Sequence, residues 1–119
     1  MKKTVVIGAS DNPDRYANIA TRMLKDHGHE VIAVGLKDCL IGDTKVTKEL
    51  VPVADVDTVT LYVGPRHQPY WYNYILSLKP KRIIFNPGTE NAAFEMMARD
   101  EGIEVIPACT LVMLSIGNY

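Results

Sequence analysis

The sequence is short of several features that would point to a specialised chemistry. It has two cysteines, Cys39 and Cys109, far apart and outside any C-x-x-C pair. Neither a disulfide framework nor a thiol redox motif is indicated, and reduced thiols in a cytoplasmic protein are the expectation. His, Cys, Asp and Glu nowhere recur at metal-ligand spacing, so the chain offers no ground for a metal site. Charge is balanced, with 13 Lys and Arg against 14 Asp and Glu and a net charge of −1. That leaves no electrostatic footprint for nucleic acid or an anionic membrane. The opening stretch "MKKTVVIG" breaks its apolar run after Val5, Val6 and Ile7, too soon for a signal peptide and far too soon for a membrane span. Repeats, charge blocks and low-complexity segments are missing as well. What remains is 119 residues, 47% hydrophobic and 23% charged, a composition that suits one globular domain with a buried core.

What is present is an alternation. Short β-branched runs at Thr4–Ile7, Glu30–Val34, Thr58–Val63, Lys81–Phe85 and Glu104–Ile106 predict five strands. Between them, Arg15–His27 carries Ala17, Ala20, Met23 and Leu24 at helical spacing and closes at Gly28. Gln68–Leu78 reads as a second helix, with Pro69 tolerated in its first turn. Glu90–Glu101 reads as a third, with Thr89 as N-cap and Gly102 as its stop. Cys109–Ile116 predicts a short terminal helix. The stretch Asp38–Ala54 is less regular: Gly42-Asp43 looks like a turn, and Val46–Leu50 like a scrap of helix. Continuous apolar strands alternating with helices predict a doubly wound, Rossmann-like α/β domain over residues 1–119, a parallel five-stranded sheet covered on both faces.

In such sheets ligands bind beyond the carboxyl ends of the strands. Those ends here are Gly8–Asn12, Gly35–Cys39, Gly64–His67, Asn86–Asn91 and Pro107–Thr110, and each carries Gly, Pro or small polar residues. Turn chemistry alone accounts for part of this. It does not account for Arg15, Lys37, Arg66 and His67 gathering at the same edge. The first loop, "GASDNPDR", lacks a full G-x-G-x-x-G; it reads equally as a structural turn or as backbone amides set to hold a pyrophosphate at a helix start. After the second strand, where NAD binders place Asp or Glu, this chain has Gly35-Leu36-Lys37. A cation there suits a ribose with an extra phosphate, as in coenzyme A (CoA) or NADP, and equally a solvated surface lysine.

With "GASDNPDRYANIA", "VGLK", "LYVGPRHQ", "KPKRIIFNPGTEN" and "PACTLVML" in order along essentially the whole chain, the sequence resembles the bacterial CoA-binding domain family. That family is similar to the N-terminal CoA-binding domain of the succinyl-CoA synthetase α subunit. The resemblance implies that Gly8, Ala9, Ser10, Asn12, Arg15 and Tyr16 lie against the CoA pyrophosphate. It implies Gly35 and Lys37 near the adenosine phosphate, and Val63, Gly64 and Pro65 beside the adenine or pantetheine. The stretch Asn86–Glu90, with Asn86, Pro87, Gly88 and Glu90 as contacts, would line the far side of the same cleft. Two departures stand out. Much of the family has Asn-Pro-Lys or Asn-Pro-Arg where this chain has Gly35-Leu36-Lys37. The synthetase's second domain, with its phosphorylated histidine, has no counterpart in 119 residues, so the ligase chemistry does not carry over.

No catalytic constellation stands out. Cys109 and His67 would form one only if the fold joined their loops, and a buried structural cysteine is the commoner outcome. In "PYWYNYILSL", Trp71, Ile75 and Leu78 form one stripe while Tyr70, Tyr72 and Tyr74 spread around the helix, which suggests a homodimer interface. The expectation is therefore a stand-alone CoA or acyl-CoA binder with no catalysis of its own, acting on neither nucleic acid nor membrane. NADP or another nucleotide as ligand, an acyl-transfer enzyme using Cys109 and His67, and an interaction protein with a vestigial cleft remain open beside it.

Overall fold

The computed structural model describes all residues, Met1–Tyr119. Seven strands and four helices alternate: β1 (Thr4–Ile7), α1 (Tyr16–Asp26), β2 (Val31–Val34), β3 (Cys39–Ile41), β4 (Thr44–Thr47), β5 (Thr58–Leu61), a 3₁₀ segment (Pro65–Trp71) running into α2 (Tyr72–Ser77), β6 (Arg82–Phe85), α3 (Ala92–Asp100), β7 (Glu104–Pro107) and α4 (Thr110–Ile116). The sheet order is β3-β4-β2-β1-β5-β6-β7. Every neighbouring pair is parallel except β3 and β4. The five expected strands are present, and the doubly wound α/β class holds.

The strand count is corrected by the region between β2 and β5. Residues 46–50 do not form a helical scrap: Thr44–Thr47 is a strand, paired antiparallel with Cys39–Ile41 around the Gly42-Asp43 turn and parallel with β2. Gly42 sits at φ 60°, the left-handed conformation that such a turn demands. Thr44, Val46 and Thr47 are β-branched, and that propensity wins over a short apolar spacing. The third helix is also corrected at its start. Asn91, not Thr89, is the N-cap, its side-chain oxygen accepting from the Phe94 N–H at 3.2 Å. The Gln68–Leu78 helix divides because Pro69 withholds a backbone N–H; the chain is 3₁₀ through Trp71 and α-helical only from Tyr72.

Strand pleating sends alternate residues to opposite faces. Val5, Ile7, Val59, Leu61, Ile83 and Phe85 pack under the 3₁₀ segment, α2 and α3, through Trp71, Ile75, Leu78, Phe94 and Ala98. Val6, Ala33 and Val46 pack under α1 and α4, through Ala17, Leu24 and Leu114. Trp71, Ile75 and Leu78 do form a core stripe. α1 ends as its sequence requires. Gly28 takes φ 84°, and the Gly28 and His29 amides donate to the Lys25 and Leu24 carbonyls at 2.9 and 3.0 Å. No helix is long and apolar enough to cross a membrane.

Candidate switch-point cleft

β1 lies between β2 and β5, so successive crossovers leave it in opposite directions and their loops diverge at its carboxyl end. A cleft of about 830 Å³ opens at that point. Of the residues expected there, Gly8, Ala9, Ser10, Arg15, Tyr16, Lys37, Val63, Gly64, Pro87 and Gly88 all line it. Thr89, inside the expected Asn86–Glu90 stretch, lines it too. Sequence reasoning did not assign Ala17, Leu36, Tyr62, Tyr70 and Trp71 to it, and it placed His67 at this edge without a ligand contact; all six line the cleft. Exposure is the signal in two cases. Leu36 and Tyr70 are 80% and 63% exposed, large apolar groups kept in solvent at a cleft mouth.

The floor is built on two glycines. Gly8 has φ 92°, and a Cβ on it would stand 2.7 Å from the Tyr62 carbonyl oxygen. The absent side chain lets the ends of β1 and β5 meet. Gly35 is buried; a Cβ there would fall on the Ala9 carbonyl oxygen. It therefore does not line the cleft, but lets the β2 loop lie against the β1 loop.

The amides above this floor are only partly paired. Gly8 and Ala9 both donate to the Val34 carbonyl, at 2.9 and 3.0 Å, and Arg15 donates to the Asn12 carbonyl at 3.1 Å. The N–H groups of Ser10, Asp11, Tyr16 and Ala17 find no acceptor in the chain. Arg15 is the N-cap of α1 and supplies no capping side-chain bond, so the positive end of an 11-residue helix is left open. The Arg15 side chain is exposed beside it and forms no ion pair. Asn12 shapes the loop rather than lining the cleft: its side-chain oxygen accepts from the Asp14 N–H at 3.0 Å, and its own N–H donates to Ser10 Oγ at 3.1 Å.

Three more expected contacts are corrected. Asn86 is 1% exposed and serves the core. Its amide nitrogen donates to Thr60 Oγ1 and the Leu61 carbonyl, at 2.8 and 2.9 Å, and its oxygen accepts from the Thr110 N–H at 2.9 Å. Such convergence ties β5, β6 and α4 together, uses both amide donors of Asn86 and keeps its side chain out of the cleft lining. Glu90 folds back onto its own turn, Oε1 accepting from the Gly88 N–H at 2.8 Å. Pro65 opens the 3₁₀ segment outside the lining.

A polar strap braces the far wall. Gln68, fully buried, donates from Nε2 to the Val63 and Thr89 carbonyls at 2.8 and 2.7 Å. Its Oε1 accepts from Asn91 Nδ2 at 2.9 Å, and that amide also donates to the Tyr72 hydroxyl. Gln68 thus holds the β5 and β6 loops at a set spacing. Tyr62 lines the cleft while its hydroxyl is buried without a partner, beside a Thr60–Thr110 hydroxyl pair bonded at 2.7 Å. Burial first of all pushes the Tyr62 phenol well above its ordinary pKa.

The remaining expectations separate cleanly. His67 lines the cleft, Cys109 does not, and no hydrogen bond joins them. No three His, Cys, Asp or Glu side chains converge closely enough to hold a metal. Tyr72 stacks on Phe94 at 4.4 Å, and Tyr74 is 7% exposed with its hydroxyl donating to the Val51 carbonyl at 2.8 Å. The aromatic argument for a subunit interface therefore reduces to Tyr70.

Comparison with known proteins agrees with this fold. No curated protein matches the chain. A solved structure described only as an uncharacterized protein is 51% identical, with a TM-score of 0.97 over 100% of this chain and 98% of that one. A hypothetical protein from Pyrococcus horikoshii is 25% identical, TM-score 0.86, over 97% of this chain and 82% of its own. A Thermus thermophilus protein at 22% identity, TM-score 0.82 over 99% and 91%, shares the fold. The family described as CoA binding domain matches residues 2–115. The chain belongs to the CoA-binding domain family.

Proposed function

We propose that this domain binds CoA or an acyl-CoA by itself, as a module without catalysis of its own. The observation that carries the reading is the meeting, at one switch-point cleft, of the partnerless amides of Ser10, Tyr16 and Ala17 with Arg15 and Lys37. Residues Ser10–Ala17 suit a pyrophosphate: amides and a helix end supply fixed partial charge, and Arg15 supplies a full one. Lys37, on the neighbouring loop, suits the ribose phosphate. Val63, Gly64, Pro87 and Gly88 offer a narrow wall with little side chain, which suits an extended pantetheine arm. The bound thiol or thioester would be held for a partner to use. Separation of His67 from Cys109 supports a binding role over an acyl-transfer one, since a nucleophile needs its base within hydrogen-bond reach.

Calorimetric titration with CoA, acetyl-CoA, NADP and NAD, on the wild type and Lys37→Glu, tests the proposal. CoA species should bind alone, and charge reversal at Lys37 should weaken them by about tenfold or more. Equal or tighter NADP binding would make this a dinucleotide protein. Silence from all four ligands would end the reading.

A further inference from the structure

The two cations of the cleft differ in one respect. Arg15 has no acidic partner, whereas Lys37 Nζ stands 3.4 Å from Asp11 Oδ2. Asp11 comes from the loop after β1 and Lys37 from the loop after β2, so the pair spans the seam between them. Other acids near Lys37 are engaged elsewhere: the Asp38 carboxylate accepts from the Lys48 N–H at 2.9 Å.

The backbone beneath the pair is set. Gly8 and Ala9 are bonded to the Val34 carbonyl, Gly35 donates to the Thr47 carbonyl at 3.0 Å, and the Gly35–Ala9 contact has no room for a Cβ. With the strand ends beneath it fixed, the seam opens most simply by motion of the two side chains, and both have the freedom to do so, Lys37 at 69% and Asp11 at 42% exposure. An exposed ion pair of this kind is weak and readily exchanged.

We propose that Asp11 and Lys37 form a counter-ion latch that sets how strongly the site prefers a phosphorylated ribose over an unphosphorylated one. The inference rests on the CoA reading above. A ribose phosphate carries between one and two more charges than the hydroxyl it replaces and takes Lys37 from Asp11, which must then swing into solvent away from the phosphate. A ribose with free hydroxyls does not compete for Lys37. It meets a carboxylate already at the seam, the group that dinucleotide sites use to accept ribose hydroxyls. Lys37 thus favours the phosphorylated ligand, Asp11 opposes it, and Arg15 serves both because nothing masks it. Asp11 is a specificity-determining residue, acting through its ion pair with Lys37.

The test is titration of the wild type, Asp11→Asn, Lys37→Met and the double variant with CoA and with CoA lacking its ribose phosphate. In Asp11→Asn the ratio of CoA affinity to dephospho-CoA affinity should rise about 2- to 5-fold, the span of an exposed ion pair. The rise should come from tighter CoA binding, with dephospho-CoA unchanged or weaker, and should shrink in high salt. Lys37→Met should bring the ratio down toward one, and adding Asp11→Asn to it should raise the ratio by clearly less than it does in the wild type. A wild type that binds CoA while Asp11→Asn leaves the ratio unmoved would overturn the latch. So would an equal rise in the Lys37→Met background, which would make Asp11 a long-range charge rather than a latch. A wild type that binds neither ligand would instead overturn the CoA reading on which the latch rests.

Discussion

Replacing Gly8 by alanine perturbs the floor of the cleft, and its cost can be worked from the geometry. Gly8 sits at φ 92°, where a side chain costs about 1–2 kcal/mol in backbone strain. The new Cβ would also stand 2.7 Å from the Tyr62 carbonyl oxygen and 3.0 Å from its carbon and from Val63 Cγ2. Val63 can rotate, but the Tyr62 carbonyl cannot retreat freely, because the Tyr62 N–H is bonded to the Ile7 carbonyl at 2.9 Å. Overpacking of this kind adds roughly 1–3 kcal/mol, for a total near 3 kcal/mol. Unfolding entropy for 119 residues is about 0.25 kcal/mol/K, so Gly8→Ala should lower Tm by about 12 °C. Gly28→Ala is the control. Gly28 also has positive φ, 84°, but its Cβ would meet nothing within 4 Å, so strain alone should cost about 1 kcal/mol and about 4 °C. Thermal melts followed by circular dichroism read both variants. If Gly8→Ala melts within about 2 °C of Gly28→Ala, the Tyr62 carbonyl is not the fixed obstacle described here and the reasoning fails.

Two further outcomes are expected. Gln68→Leu leaves the Val63 and Thr89 carbonyls and the Asn91 amide short of a partner, and should cost about 2–4 kcal/mol in urea unfolding; a cost under about 1 kcal/mol would mean that water replaces the strap. Tyr62, Tyr74 and Tyr119 have phenols raised above the ordinary value, in each case by burial first. Above about pH 10 the unfolded chain releases protons that the folded one keeps, so stability present below that pH is lost as pH rises. Tyrosinate absorbance should therefore show Tyr62, Tyr74 and Tyr119 ionising late, together with unfolding; their ionisation near pH 10 in a folded protein would contradict the burial.

The sequence by itself determined the alternation of five strands with helices, the end of the sheet that carries a site, and the family. Each follows from local quantities: the period of apolar residues, Gly28 closing α1, and ordered motifs from "GASDNPDR" to "CTLVML". The β3–β4 hairpin was less legible, since these strands mix exposed and buried residues over three and four positions where β1, β5 and β6 are buried throughout, and only the β-branched Thr44, Val46 and Thr47 hinted at it.

Tertiary structure alone decided which residues of a promising loop face the cleft. Asn86 and Pro87 are adjacent, yet Asn86 turns inward because Thr60, Leu61 and Thr110 lie there to bond it. Tyr70, Tyr72 and Tyr74 look alike in sequence, and only the positions of Phe94 and Val51 consign two of them to internal contacts. Gln68 bridges loops that are 26 residues apart, from Val63 to Thr89. The same is true of Asp11 and Lys37, which meet because β1 and β2 are neighbours in the sheet. Long-range side-chain partners have no period and no fixed spacing; they exist only once the strands have paired.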